Sequence, residues 1–502
     1  MSQRRRRRSL VPLVLGTAVV LTAALFSSPA GAVAEPSVRM FVSMHNVTAE
    51  RNRRDFVSVD PNAFVTPVGA DFKLIVNRPD YDTPVTAKQV DPQTDAVLRT
   101  FSEDALDGWS GLKDFTQYEI RDASGHVVRT GSNSFCPNAY GRARLNVDGN
   151  DGPLVPSYPY DCGSYSPFTR GNVWGIDLGW ATPMLGNGGY YYGGGQLSWR
   201  AVKNRYTIHI EIAPAWVDAL SIPPEDASAD VKVTIVDSAS ASGSARTEPT
   251  ASADEPFAST PIVTNPPAGT LPDIVALPSW SMYVNNRRGH EYLSFSATEW
   301  NAGPGPMVID GFRTGDEPVM DAYQYFLNTD GDPVGRALID QLHYHAGRHN
   351  HWHFDQFTQY SLLDASKTLL DVSDKESWCL APTDGIDLTV ENANWGQVAQ
   401  DVYSSCGYGE PGALWIRESL PVGWGDTYGQ GVNFGAFDIT NVPNGTYYVR
   451  TEVNPTGSIL EASSDNNIQD RLIKLRGRPG HRRVIVPPWH GIDTENYCYY
   501  CG

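Results

Sequence analysis

Short stretches of this chain come round twice at nearly constant spacing. Phe115-Thr116-Gln117-Tyr118, followed by Asp122-Ala123-Ser124, returns as Phe357-Thr358-Gln359-Tyr360, followed by Asp364-Ala365-Ser366. Cys136 and Cys162 return as Cys379 and Cys406, Gly179-Trp180 as Gly423-Trp424, and Tyr206 to Pro214 as Tyr447 to Pro455. The offset stays between 241 and 244, which is the mark of an internal duplication. Between the copies, Asp237 to Pro256 reads DSASASGSARTEPTASADEP, a run too small and polar to bury a core. Apolar residues alternate in short runs at Phe72–Val76, Tyr206–Ala213, Val231–Val236 and Tyr447–Val453, among 46 glycines and 36 prolines. Long helical periodicity is scarce, so the expected class is all-β. The expected arrangement is two tandem related β-sandwich-like domains, 35–236 and 271–475, joined by a disordered linker at 237–270 and followed by a C-terminal tail at 476–502.

The first 34 residues read as a secretory signal. Arg4 to Arg8 form a basic head, Leu10 to Phe26 an apolar middle, and Ala30-Gly31-Ala32-Val33-Ala34 a small-residue exit. Arg7-Arg8-Ser9-Leu10-Val11 also partly resembles a twin-arginine signal. No second membrane-length segment follows, so the expected product is exported, secreted or cell-wall associated, with no membrane anchor. Removing five arginines and no acidic residue moves the formal charge from −18 to −23. A surface this acidic repels nucleic acid and attracts cationic substrates, or simply confers solubility. Six cysteines in an exported chain point to disulfides. Their repeated spacing suggests Cys136–Cys162 and Cys379–Cys406, and Cys498 and Cys501 suggest a third bridge in the tail.

His349, His351 and His353 stand two apart in HNHWH. On an extended strand, alternate side chains share a face and the imidazoles converge. Imidazole suits copper, zinc, nickel and iron, and copper(II) heads the divalent affinity order. The bland reading is a polar strand or a His-rich loop. His343 and His345 continue the alternation upstream as outer ligands, proton carriers or rim residues. The duplication supplies an internal control: the positions matching the three histidines in the first half hold Asp107, Trp109 and Gly111. The shared scaffold therefore does not require them.

Residues from about Leu271 to Leu475 resemble the catalytic domain of the lysyl oxidase family. HNHWH stands at the family's His-x-His-x-His copper motif, followed by Phe357, Tyr360 and Leu362-Leu363-Asp364. Lys375 in Lys-Glu-Ser-Trp-Cys, Tyr428 in Asp-Thr-Tyr-Gly, Phe437-Asp438-Ile439-Thr440 and Val453-Asn454-Pro455 continue the resemblance in order. The residues before His349 differ from the animal members, and most animal cysteines have no counterpart. The resemblance implies copper on His349, His351 and His353, and a lysine tyrosylquinone made from Lys375 and Tyr428. It implies oxidation of primary amines or peptidyl lysine by dioxygen to aldehyde, ammonia and hydrogen peroxide. A base is needed for the substrate α-proton; Asp426 and Asp355 are the candidates. Lys375 matches Ser132 and Tyr428 matches Met184, so the half without histidines lacks the cofactor precursors too. Two other readings stay open: a copper-binding protein or wall-associated binding module without oxidase activity, and a structural zinc or nickel site.

Overall fold

The computed structural model describes residues 36–497 except 53, 140–141, 146–151, 154–155, 165, 186–195, 238–259, 314–317, 346–350, 374–376, 396–405, 408–412, 414 and 433. The leader, most of the linker, His349, Lys375, Cys498 and Cys501 lie outside the described residues. The architecture is all-β. The alternating runs become the strands Phe72–Asn77, Arg205–Ile212, Ser228–Asp237 and Gly445–Val453. Pro214–Leu220 forms the one α-helix among the described residues, opened by a proline whose missing N–H is no loss in the first turn. No helix there is long and apolar enough to cross a membrane.

The two halves build the same four-strand run. In the first, Val127–Phe135, Leu112–Asp122, Arg205–Ile212 and Ser228–Asp237 are neighbours in that order. In the second, Leu369–Val372, Thr358–Leu363, Gly445–Val453 and Ile468–Arg478 repeat it. The turns agree at the level of single bonds. Asp122 Oδ1 accepts from the N–H of Ser124 and His126, as Asp364 Oδ1 does from Ser366 and Thr368. The Ala213 N–H donates to the Phe115 carbonyl and the Asn454 N–H to the Phe357 carbonyl, both at 2.8 Å. The sheets differ in their fifth strand. Asn46–Arg51 adds in parallel to the first, whereas His481–Ile485 adds antiparallel to the second and draws residues beyond 475 into it.

The Cys136–Cys162 and Cys379–Cys406 bridges are both present. Each closes a loop of a length that stabilises by about 3–4 kcal/mol in the chain-entropy model. One apolar core, around Val65, Leu74, Phe115 and Ile210, belongs to the first half, and a second, around Phe295, Trp352, Tyr360 and Trp378, belongs mainly to the other. A smaller cluster draws on both: Phe168 packs with Trp280, Trp300, Ile386 and Trp489. Main chain crosses between the halves here. The N–H groups of Arg170 and Gly171 donate to the Ile386 carbonyl, and the Leu388 N–H donates to Gly171. A Cβ on Gly171 would lie 2.3 Å from Asp387 Oδ1 and 2.4 Å from Thr389 Oγ1, so any larger residue would have to displace both side chains. Residues 260–270, read as linker, touch the second half: the Val263 N–H donates to Arg336.

Two buried polar contacts fix the second core. Arg417 grips Asp310 through two bonds of 2.6 and 2.7 Å, and both residues are almost wholly buried. The fully buried Tyr360 hydroxyl donates to Glu299 Oε1 at 2.9 Å. Burial pushes the Glu299 carboxyl up to about 8, against the opposing effect of that hydrogen bond.

Asp310→Ala leaves a buried guanidinium without its partner and is expected to cost about 3–5 kcal/mol, read as a lower urea midpoint at unchanged slope. Folded Glu299 keeps a proton that the unfolded chain has lost, so its contribution to stability declines as pH rises from 4.5 to about 8. Glu299→Gln is expected to flatten that decline in thermal unfolding and to be the more stable protein above it. Parallel curves for the two proteins at every pH would contradict this.

Candidate functional site

The histidines sit on a hairpin. Pro333–His345 pairs antiparallel with His351–Asp355 in the register Leu342↔Phe354, His343↔His353, Tyr344↔Trp352 and His345↔His351. Alternation places His343, His345, His351, His353 and Asp355 on one face and Leu342, Tyr344, Trp352 and Phe354 on the other. Leu342, Trp352 and Phe354 are fully buried. A one-residue slip would drive the imidazoles into that core, so the apolar side sets the register. The Trp352 N–H donates to the carbonyl of Cys406, tying the strand to the disulfide. The matching stretch of the first half forms no such strand: Gly108–Ser110 is a 3₁₀ turn with Trp109 buried.

On the polar face the Nε2 atoms of His351 and His353 stand 2.7 Å apart. The His345 ring stacks on His353 at 4.3 Å, and His343 Nδ1 meets Asp355 Oδ2 at 2.5 Å. Two imidazole nitrogens this close share either a proton or a cation, since two bare lone pairs would repel. Neutral imidazole is a suitable copper ligand, while among the described residues no group of three or more ligating side chains is placed to hold a metal ion. Asp355 is engaged with His343, which counts against it as a free base.

Tyr428 is held from the core side. Its strand, Trp424–Gln430, pairs with His290–Asn301 in the register Ala297↔Tyr428 and Glu299↔Asp426. The Tyr428 ring meets Trp378 edge-on at 4.1 Å, and its hydroxyl donates to the Cys379 carbonyl. Trp378 belongs to Ser377–Trp378, which pairs with the histidine strand as Phe354↔Trp378 and Asp355↔Ser377. Asp426 Oδ2 accepts from the Ala381 N–H at 3.2 Å, and Glu418 Oε2 from the Leu380 N–H at 3.0 Å. The structure thus brings His351 to His353, and brings Tyr428 and Asp426 to the segment that follows Lys375. Tyr428 reaches the histidine strand through the face opposite the imidazoles.

Sequence reasoning missed Glu299 and Glu418. Both lie fully buried, Glu299 opposite Asp426 in the strand register and Glu418 close enough to feel the Asp426 charge. Burial, with the negative charges of Asp426 and Asp355 adding to it, pushes the Glu418 carboxyl well above its usual range. The signal was a carboxylate inside an otherwise strand-like run, FSATEW or WIRESL. Every residue from Ile416 to Leu420 is buried, so the alternation that would have exposed the oddity is absent.

Residues 330–483 match the family model for lysyl oxidase, a span that contains the histidine hairpin, Lys375 and Tyr428. Lysyl oxidase homolog 2 of Gallus gallus is 28% identical over 137 residues, 27% of this chain and 15% of the relative. The Homo sapiens lysyl oxidase homolog 2 is 30% identical over 139 residues, again 27% and 15%. Lysyl oxidase homolog 3B of Danio rerio is 28% identical over 133 residues, 26% and 14%. The chain therefore spans about 15% of the length of these curated relatives. The C-terminal half of the chain belongs to the lysyl oxidase family.

Proposed function

We propose that the protein is an exported copper-dependent amine oxidase of lysyl oxidase type. It converts primary amines, peptidyl lysine or small amines, to aldehydes with release of ammonia and hydrogen peroxide. Copper is held by His349, His351 and His353, and the organic cofactor is a lysine tyrosylquinone from Lys375 and Tyr428. The observation that supports the metal part of this reading most is the 2.7 Å approach of the His351 and His353 Nε2 atoms. Family membership of residues 330–483 supports it independently. When present, copper and quinone supply an electrophilic carbonyl for amine condensation and a path for electrons to dioxygen.

The chain's own residues do the rest. Trp378 and the Cys379 carbonyl orient the Tyr428 ring. Asp426, two residues before Tyr428 and only 1% exposed, is the group we assign to accept the substrate α-proton. A dry setting keeps its charge unscreened by water. The acidic balance of the chain favours a cationic amine over nucleic acid as partner. We read the leader at 1–34 as the export signal. We read 35–236 as a related β-sandwich-like domain without metal ligands, joined by the 237–270 linker to the catalytic domain at 271–475.

In protein matured with copper and air, peptide mapping is expected to find Lys375 and Tyr428 joined as one oxidised species. Tyr428→Phe is expected to abolish amine-dependent peroxide release. Both side chains unmodified with copper bound would instead indicate a copper-binding protein without oxidase activity. His353→Ala is expected to lose bound copper by metal analysis while keeping the fold. Retention of a full equivalent would move the metal site elsewhere.

A further inference from the structure

Asp426 does not stand alone. Glu418 and Asp426 take hydrogen bonds from consecutive backbone amides, Leu380 at 3.0 Å and Ala381 at 3.2 Å, and both are buried, at 0% and 1% exposure. The Phe354 N–H also lies close enough to favour an ionised Glu418, but no hydrogen bond reaches its other oxygen, Oε1, among the described residues. Two anions held on consecutive amides in a dry interior repel, and an ionised oxygen without a hydrogen bond forfeits its hydration. One neutral acid beside one carboxylate avoids both costs. We propose that Glu418 is the acid partner of Asp426: around neutral pH the two carboxyls hold a single proton, resident on Glu418, and Asp426 remains the anion beside Tyr428.

The surroundings determine which carboxyl keeps the proton. Glu418 lies opposite the apolar Ile309 and feels the charges of Asp426 and Asp355. Arg417, next in sequence, projects from the other face of the strand, where Asp310 neutralises it. No cation therefore favours an ionised Glu418 from its own face among the described residues. Asp426 stands opposite Glu299 in the strand register and near Tyr360, which is hydrogen-bonded to Glu299, and Tyr428. Burial raises the Glu418 carboxyl in the same direction that the geometry requires. In the reaction, which is the reading this inference rests on, the substrate C–H bond breaks, its electron pair stays with the substrate, and a new O–H forms on Asp426. The pair then carries two protons and no charge, so proton transfer removes charge from the dry site instead of adding it.

The test uses the full-length protein. Infrared titration of the metal-free form follows the C=O stretch of protonated carboxyls in wild type, Glu418→Gln, Asp426→Asn and Glu299→Gln. Of the protonated-carboxyl bands at neutral pH, one is expected to vanish in Glu418→Gln and to persist in Glu299→Gln, which instead loses the separate band of Glu299. In Asp426→Asn the Glu418 band is expected to titrate lower by roughly one pH unit or more, because the neighbouring charge is gone. No band lost in Glu418→Gln, or a titration unmoved by Asp426→Asn, overturns the pair. In copper-matured protein the pH profile of amine-dependent peroxide release is expected to lose its alkaline limb in Glu418→Gln. An unchanged profile overturns the functional coupling. Absence of amine oxidation in the wild type defeats the proposed function alone, while the infrared bands still decide the carboxyl pair.

Discussion

Three side chains from two sheets hydrogen-bond to three consecutive residues: Tyr428 to the Cys379 carbonyl, Glu418 to the Leu380 N–H and Asp426 to the Ala381 N–H. The same short segment is cross-linked to Cys406, whose carbonyl holds the N–H of Trp352 in the histidine strand. A backbone this deeply placed must have its polar groups met, and these three side chains meet them. Burying carboxylates here serves the fold by satisfying amides. It also leaves them dry, and burial raises the Glu418 carboxyl well above its usual range.

The hairpin shows the complementary device. Its register is set on the core side by Leu342, Trp352 and Phe354, while the histidines occupy the other face as passengers of that packing. Metal ligands on a strand need only the alternation that the core already imposes. The first half makes the same point by contrast, since Trp109 there closes a 3₁₀ turn and nothing requires a second polar face.

Much of this was legible from residues alone. The strands were, because half-buried β-structure writes its alternation into the sequence, as at Tyr206–Ala213 and Tyr447–Val453. The disulfides were, because the duplication repeats cysteine spacing as it repeats strands. Glu299 and Glu418 were not: in strands buried on both faces no periodicity marks a carboxylate as out of place. Nor could the sequence show that Tyr428 and the imidazoles approach one strand from opposite faces, because that depends on how separate sheets stack. His349 and Lys375 lie outside the described residues, so their part in the site rests on the resemblance carried by their motifs.

Gly171 carries a consequence for how the two copies can diverge. Its missing side chain lets the first half lay main chain against Ile386–Leu388, one short pairing away from the Tyr428 strand through Asp384↔Gly425 and Gly385↔Trp424. The first half carries Asp107, Trp109 and Gly111 where the second has its histidines, yet along this edge it is bonded to the second half. A change at Gly171 in one copy is therefore felt at Asp387 and Thr389 in the other.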